Sequence, residues 1–201
     1  MMSDENIIKF GNFNYEGEEK NKSQIILSHT SREAKDYINA LKYRYGKKYN
    51  KVPNYIITRD GKIIELLEPK KYSKYINDEN ISKKSITVSL ENLGWLEKEP
   101  LKNYHINWIG SIYKEKVLDK KWRDYFFWEP YTKIQLDKTA ELCKKLSKEH
   151  PINLTCIGHN TKTNRMETFN GILTRSNIDD DSTDVSPAFD FEYFIKKLEN
   201  E

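Results

Sequence analysis

The chain has 201 residues, 32% of them charged and 37% apolar, with a formal net charge of only +3 at pH 7. That length suits one domain with a full-sized core. The cationic side chains form only short pairs such as Lys47-Lys48 and Lys70-Lys71, not the clustered basic face of a nucleic-acid binder. No segment approaches the roughly 20 apolar residues of a membrane span, and two cysteines, Cys143 and Cys156, make no disulfide framework and fit a reducing compartment.

The N-terminus, Met1-Met2-Ser3-Asp4-Glu5-Asn6, is acidic where a signal peptide is basic, and no apolar stretch follows it. Synthesis in the cytoplasm without a standard export signal is the expectation. Residues 7–10 read as a weak edge strand, and the polar stretch from Glu16 to Lys22 completes an N-terminal arm over residues 1–23. Gln24–Ser28 follows as a strand whose three consecutive aliphatics, Ile25-Ile26-Leu27, suit burial on both faces. The strand stops at His29. Thr30-Ser31-Arg32-Glu33 has the T-x-x-E form of a capping box, which predicts a helix from Ser31 to about Tyr45 with Ala34, Tyr37, Ile38, Leu41 and Tyr45 on one face and Gly46 as its stop.

Two β-rich runs, Asn54–Thr58 and Lys62–Leu67, flank Arg59-Asp60-Gly61 and predict a hairpin. Residues 68–84 read as a loop. Ser85–Glu91 alternates with period two, placing Ile86, Val88 and Leu90 on one side and Thr87, Ser89 and Glu91 on the other. Residues 95–131 crowd ten aromatic residues among charges without a steady period. They read as an insertion that folds back on its own rings, or as a groove wall whose rings stack on sugars.

A second capping box, Thr132-Lys133-Ile134-Gln135, opens a helix to about His150, with Ile134, Ala140, Cys143 and Leu146 on or near one face and Pro151 ending it. Ile152–His159 reads as a final strand that also stops at a histidine. Residues 160–183 read as a polar loop, and Glu192–Leu198 as a short C-terminal helix.

Of four histidines, His150 closes a helix, where the dipole favours an imidazolium, and His105 lies in the aromatic insertion without a partner nearby in sequence. His29 and His159 share another setting, each ending an apolar strand at a polar turn. Two such imidazoles at one sheet edge suit zinc, whose hydrolytic sites take three protein ligands and leave one position open. For the third ligand, Cys156 points to the opposite face from His159 and reads as a core thiol. Asp184 follows the acidic Asp179-Asp180-Asp181 and precedes the Pro187-Ala188-Phe189 anchor, although an N-cap of the last helix would also explain it. Glu91 ends the alternating strand, where its carboxylate either is merely solvated or takes a proton from a metal-bound water.

These pieces together resemble the zinc-dependent N-acetylmuramoyl-L-alanine amidases of the amidase-2 type, relatives of the peptidoglycan recognition proteins and of phage amidases. The resemblance covers residues 24–198. It rests on Ile26–Thr30, the hairpin Tyr55–Ile63, the strand Ser85–Asn92, the helix start Pro130–Gln135, Ile157-Gly158-His159, and Asp184–Phe191, in family order. It implies an α/β fold, a central mixed sheet flanked by helices, with zinc at one edge. It implies His29, His159 and Asp184 as zinc ligands and Glu91 as the proton carrier. The substrate implied is peptidoglycan, cut at the amide between N-acetylmuramic acid and L-alanine. Departures are Pro53-Asn54 where the family often has Tyr-His, and Ser182 where it commonly has a lysine that holds the oxyanion; Arg175 is the candidate replacement for that lysine. The expected setting is a phage-type endolysin acting on the wall after release, with cytoplasmic wall recycling as the other. The working expectation is a monomer without nucleic-acid partners or membrane insertion. A peptidoglycan-binding protein on the same fold, and a regulator of another enzyme, are the rival classes.

Overall fold

The computed structural model describes residues 7–44, 48–163 and 165–200. In chain order the elements are β1 (Ile7–Lys9), β2 (Gly17–Glu18), β3 (Gln24–His29), α1 (Ala34–Tyr43), β4 (Tyr55–Ile57), β5 (Ile63–Glu65), β6 (Lys71–Tyr72), α2 (Glu79–Lys84) and β7 (Ser85–Leu90). They continue as β8 (Trp95–Lys98), β9 (His105–Ile106), β10 (Ile112–Tyr113), β11 (Leu118–Trp122), β12 (Tyr125–Trp128), α3 (Lys133–Glu149), a 3-10 turn at Met166–Thr168, β13 (Gly171–Thr174), α4 (Arg175–Ile178) and α5 (Phe191–Glu199).

A six-stranded mixed sheet in the order β1-β5-β4-β7-β3-β13 organises the molecule. Its centre is parallel: β3 pairs with β7 over its whole length, from Gln24 opposite Ser85 to His29 opposite Leu90, and β13 pairs with β3 from Gly171 opposite Gln24 to Thr174 opposite Leu27. Every residue of β3 and β7 is buried, as expected of central parallel strands covered on both faces. On one face Ile25, Leu27, Ile86, Val88 and Leu90 meet α3 and α5 through Leu136, Ala140, Cys143, Leu146 and Phe194. On the other, Ile56 and Ile64 pack against α1 through Ala34, Ile38 and Leu41, and Ile26 and Leu173 pack against Tyr75, Ile76 and Ile81.

Parts of the polar stretches fold more than their composition suggests. Residues 68–84 contain β6 and α2, the latter capped by Asp78, whose side chain accepts the Ile81 amide at 3.0 Å. The predicted strand Ile152–His159 is instead an extended segment whose one ladder contact is the parallel bridge from Cys156 to Ile172. The neighbour of β3 is β13, from within the stretch 160–183 that reads as loop. Helix α1 starts at Ala34, not Ser31, and its N-cap Glu33 makes no side-chain cap. Thr30 extends β3 instead, giving its amide to the Leu90 carbonyl at 3.0 Å, and Ser31 then turns with φ +57°. Tyr45 and Gly46, the predicted end of that helix, lie outside the described residues. Ile134 is on the exposed side of α3.

The aromatic stretch forms a second, five-stranded sheet, β10-β9-β8-β12-β11, antiparallel throughout. Trp95 stacks on Tyr125 with centroids 4.3 Å apart, and Trp128 is fully buried, donating its indole N–H to the Lys120 carbonyl. Trp108 and Phe126 remain about half exposed, at 52% and 48%, so the stretch buries some of its rings and presents others. Tyr131 leaves the insertion and joins the main core.

Candidate functional site

The parallel strands deliver their C-terminal ends to one edge, where open α/β sheets bind ligands. His29 is the last residue of β3. Its side chain is 1% exposed. The Nε2 atom lies 3.2 Å from Asp184 Oδ1, and Nδ1 lies 3.2 Å from the Tyr131 hydroxyl. Burial lowers the His29 pKa, Asp184 pulls it back and Arg175 pushes it down again, for a net decrease. The Ser186 amide donates to the Tyr131 oxygen at 3.4 Å, and the direction of the Tyr131–Nδ1 hydrogen bond follows the tautomer of the ring. Gly94 closes the remaining side. Its φ is +79°, and a Cβ there would stand 2.8 Å from His29 Nε2, so this position needs glycine on both counts.

Asp184 is not the N-cap of the last helix; Asp190 is, accepting the Tyr193 amide at 2.9 Å. The Asp184 side chain is 9% exposed, and its second oxygen, Oδ2, faces Arg175 Nη1 at 3.6 Å. Arg175 comes from the first residue after β13, the strand beside β3. Its Nε donates to Asp179 Oδ2 at 2.9 Å, and its guanidinium carbon sits 5.5 Å from the centre of the Tyr75 ring. Burial works against the charge on Arg175, but Asp184, Tyr75 and Asp179 outweigh it and hold the pKa above the ordinary arginine value. The Ser176 amide donates to the Asp184 carbonyl at 2.6 Å, fastening the two segments.

Two other expected site residues lie in different surroundings. Glu91 gives one carboxylate oxygen to the Ala34 amide at 2.8 Å and the other to the Arg59 amide at 2.7 Å. It therefore caps α1 and fixes the turn after β4. His159 packs its ring 4.5 Å from Trp122 and 5.8 Å from Phe191, and its Nε2 is buried without a hydrogen-bond partner. It lines a cleft of about 600 Å³ between the insertion (Lys116, Leu118, Lys120) and the C-terminal segment Pro187–Phe191. Burial, then Lys120 and Arg123, bring its pKa down to about 4.

The structure thus joins His29, Asp184 and Arg175 and leaves His159 outside that contact. Among the described residues no three His, Cys, Asp or Glu side chains gather closely enough to hold a metal ion. The donor chemistry at His29 does not fit a three-ligand zinc centre either. His29 and Asp184 make two donors, and the neighbouring strand presents a guanidinium, which has no lone pair to give as a third. Tyr131, Tyr75 and Asp179 complete the cluster. Only the x-Pro-Tyr-Thr sequence before α3 marked Tyr131; nothing in the local sequence of Tyr75 or Asp179 distinguishes them.

Residues 19–170 match the family described as N-acetylmuramoyl-L-alanine amidase. No curated protein matches. Among solved structures, the amidase LysC from Clostridium intestinale URNW aligns over 97% of this chain and 98% of its own, with 12% identity and a TM-score of 0.58. A selenomethionine AmpD derivative aligns over 98% and 99%, with 17% identity and a TM-score of 0.60. The amidase AmiD from E. coli, solved with the substrate anhydro-N-acetylmuramic acid-L-Ala-D-gamma-Glu-L-Lys, aligns over 90% of this chain and 58% of its own, with 13% identity and a TM-score of 0.58. At these identities the structural matches show a shared fold. The family match ends at residue 170, before β13, Arg175 and Asp184.

Proposed function

This chain belongs to the N-acetylmuramoyl-L-alanine amidase family, and we propose on that footing that its target is peptidoglycan, at the junction of N-acetylmuramic acid with the L-alanine of the stem peptide. The observation that carries this reading is the buried His29–Asp184 contact at the C-terminal end of the parallel strands, on the family's fold. The substrate in the AmiD structure contains that same junction.

What happens at the junction turns on the metal. Zinc-dependent hydrolysis, the phage-type lytic reading, needs His29, His159 and Asp184 around one ion, Glu91 free to carry a proton, and Arg175 beside the developing oxyanion. The His29–Asp184 contact supports it. Recognition without cleavage is the reading the geometry favours. Both Glu91 oxygens accept backbone amides, His159 stacks on Trp122, and Asp184 is shared between His29 and a guanidinium. In this reading the half-exposed rings of the second sheet supply stacking surface for sugars, and Arg175 presents its positive charge to the carbonyl or carboxylate groups of the stem.

Co-sedimentation with purified sacculi, combined with a count of newly freed L-alanine amino groups with and without chelator, tests both. Recognition predicts wall-bound protein and no new amino groups in either condition. Chelator-sensitive release of amino groups would establish the hydrolytic reading instead, and protein left wholly in the supernatant would remove peptidoglycan as the target.

A further inference from the structure

We infer that Arg175 is the resident cation of this site: its guanidinium takes the place beside Asp184 that a divalent metal would need, and the chain folds metal-free. The inference starts from strand order. The segment that ends at His159 is displaced one position outward, bridging β13 at Cys156, so the strand beside His29 is β13 and the side chain at its end is Arg175.

Every partner of Arg175 holds it in place. Asp184 faces Nη1, Asp179 accepts from Nε, and the Tyr75 ring lies against the guanidinium. Tyr75 is itself fixed by a 2.7 Å hydrogen bond between its hydroxyl and Ser28. A guanidinium remains protonated in proteins, so it cannot become a ligand, and a divalent ion on Asp184 would have to sit against a positive charge. On the other side, a neutral imidazole keeps one lone pair, so His29 with Asp184 makes two donors, one short of the three protein ligands of a zinc centre. Nδ1 lies 3.2 Å from the Tyr131 hydroxyl and Nε2 lies 3.2 Å from Asp184 Oδ1. The site is therefore a chain of polar and ionic contacts, Tyr131–His29–Asp184–Arg175–Asp179, with a guanidinium where a third ligand would stand.

This claim concerns the metal alone and stands or falls apart from the peptidoglycan reading. Its test is calorimetric titration of Zn²⁺ into the chelator-treated, dialysed natural chain, into Arg175→His and Arg175→Ala, and into Arg175→Lys, which keeps the charge. The natural chain and Arg175→Lys are expected to bind zinc more weakly than about 10 μM, while Arg175→His gains at least about tenfold and loses that gain when His29→Ala is added. A natural chain that takes one zinc tighter than about 1 μM, through His29, would overturn the inference on its own, whether or not any variant folds. It would also be overturned if folded Arg175→His and Arg175→Ala, checked by circular dichroism, bound zinc no better than the natural chain.

Discussion

At the scale of single residues, Asp184 has two neighbours and one charge. Its carboxylate lies 3.2 Å from the His29 imidazole and 3.6 Å from the half-buried Arg175 guanidinium. Removing it leaves Arg175 with Asp179 as its acidic partner and takes away the polar neighbour of His29 Nε2. Loss of one member of a buried pair is costly because the other stays behind. Asp184→Ala is therefore expected to lower the unfolding free energy by about 2–3 kcal/mol in a urea titration, below the fully buried limit because Arg175 keeps some contact with water. A change below about 0.5 kcal/mol would show the contact to be incidental. His159 yields a pH prediction. Its pKa falls from 6.5 to about 4 on folding, so between those values the unfolded chain binds the proton more readily. The stability this group confers is complete above about pH 6.5 and is lost as pH falls toward 4. Thermal melts from pH 7 to pH 4.5 should show a smaller drop in His159→Phe than in the natural chain; an equal drop would rule the imidazole out as a source of acid sensitivity.

At the scale of elements, Glu91 shows how one carboxylate joins two pieces of the fold. Helix α1 lacks a cap from its own N-cap residue, and Glu91 supplies one from β7 while also holding the Arg59 amide. Glu91→Ala should then cost about 2–3 kcal/mol of stability, as expected for two charge-assisted hydrogen bonds at a half-buried site. An unchanged denaturation midpoint would free Glu91 for the proton-carrying role. Thr132 is a second such test. It caps α3, accepting the Gln135 amide at 3.2 Å, while its hydroxyl donates to the Arg59 carbonyl at 2.7 Å. Thr132→Ala should cost roughly 1 kcal/mol.

The same scale separates what could be read from sequence and what could not. The strand ending at His29, the Asp-Gly hairpin, the Ser85–Leu90 strand and the α3 capping box were legible because local periodicity and turn chemistry specify them. The identity of the strand beside His29 was not. Ile152–Ile157 has the longer apolar run, whereas Gly171–Thr174 is four residues within a polar stretch. Pairing decides between them, and pairing is long-range: Ile172 faces Ile25, and Leu173 faces Ile26. The Thr30–Glu33 capping signal failed for a related reason. The β3–β7 ladder extends through Thr30 and takes up the residues that the local motif would have used.

At the scale of the whole molecule, a mixed sheet with helices on both faces places His29 and Asp184 at one edge, and a second antiparallel sheet stands beside that edge with the His159 cleft between the insertion and the C-terminal segment. Fold class and the His29–Asp184 meeting were legible from residue order; the second sheet was not, because its short strands carry no steady alternation and are specified by ring packing such as Trp95 on Tyr125. On the proposed reading, this edge receives the muramoyl–L-alanine junction without a metal. The most direct measurement is amide chemical-shift mapping of the natural chain, in excess chelator, titrated with a soluble N-acetylmuramoyl-L-alanyl peptide, with mass spectrometry of that peptide afterwards. Saturable shifts centred on His29, Gly94, Arg175 and Asp184, with the peptide recovered intact, are the predicted result. No shifts at those residues, or a peptide cleaved only when zinc is restored, would contradict it.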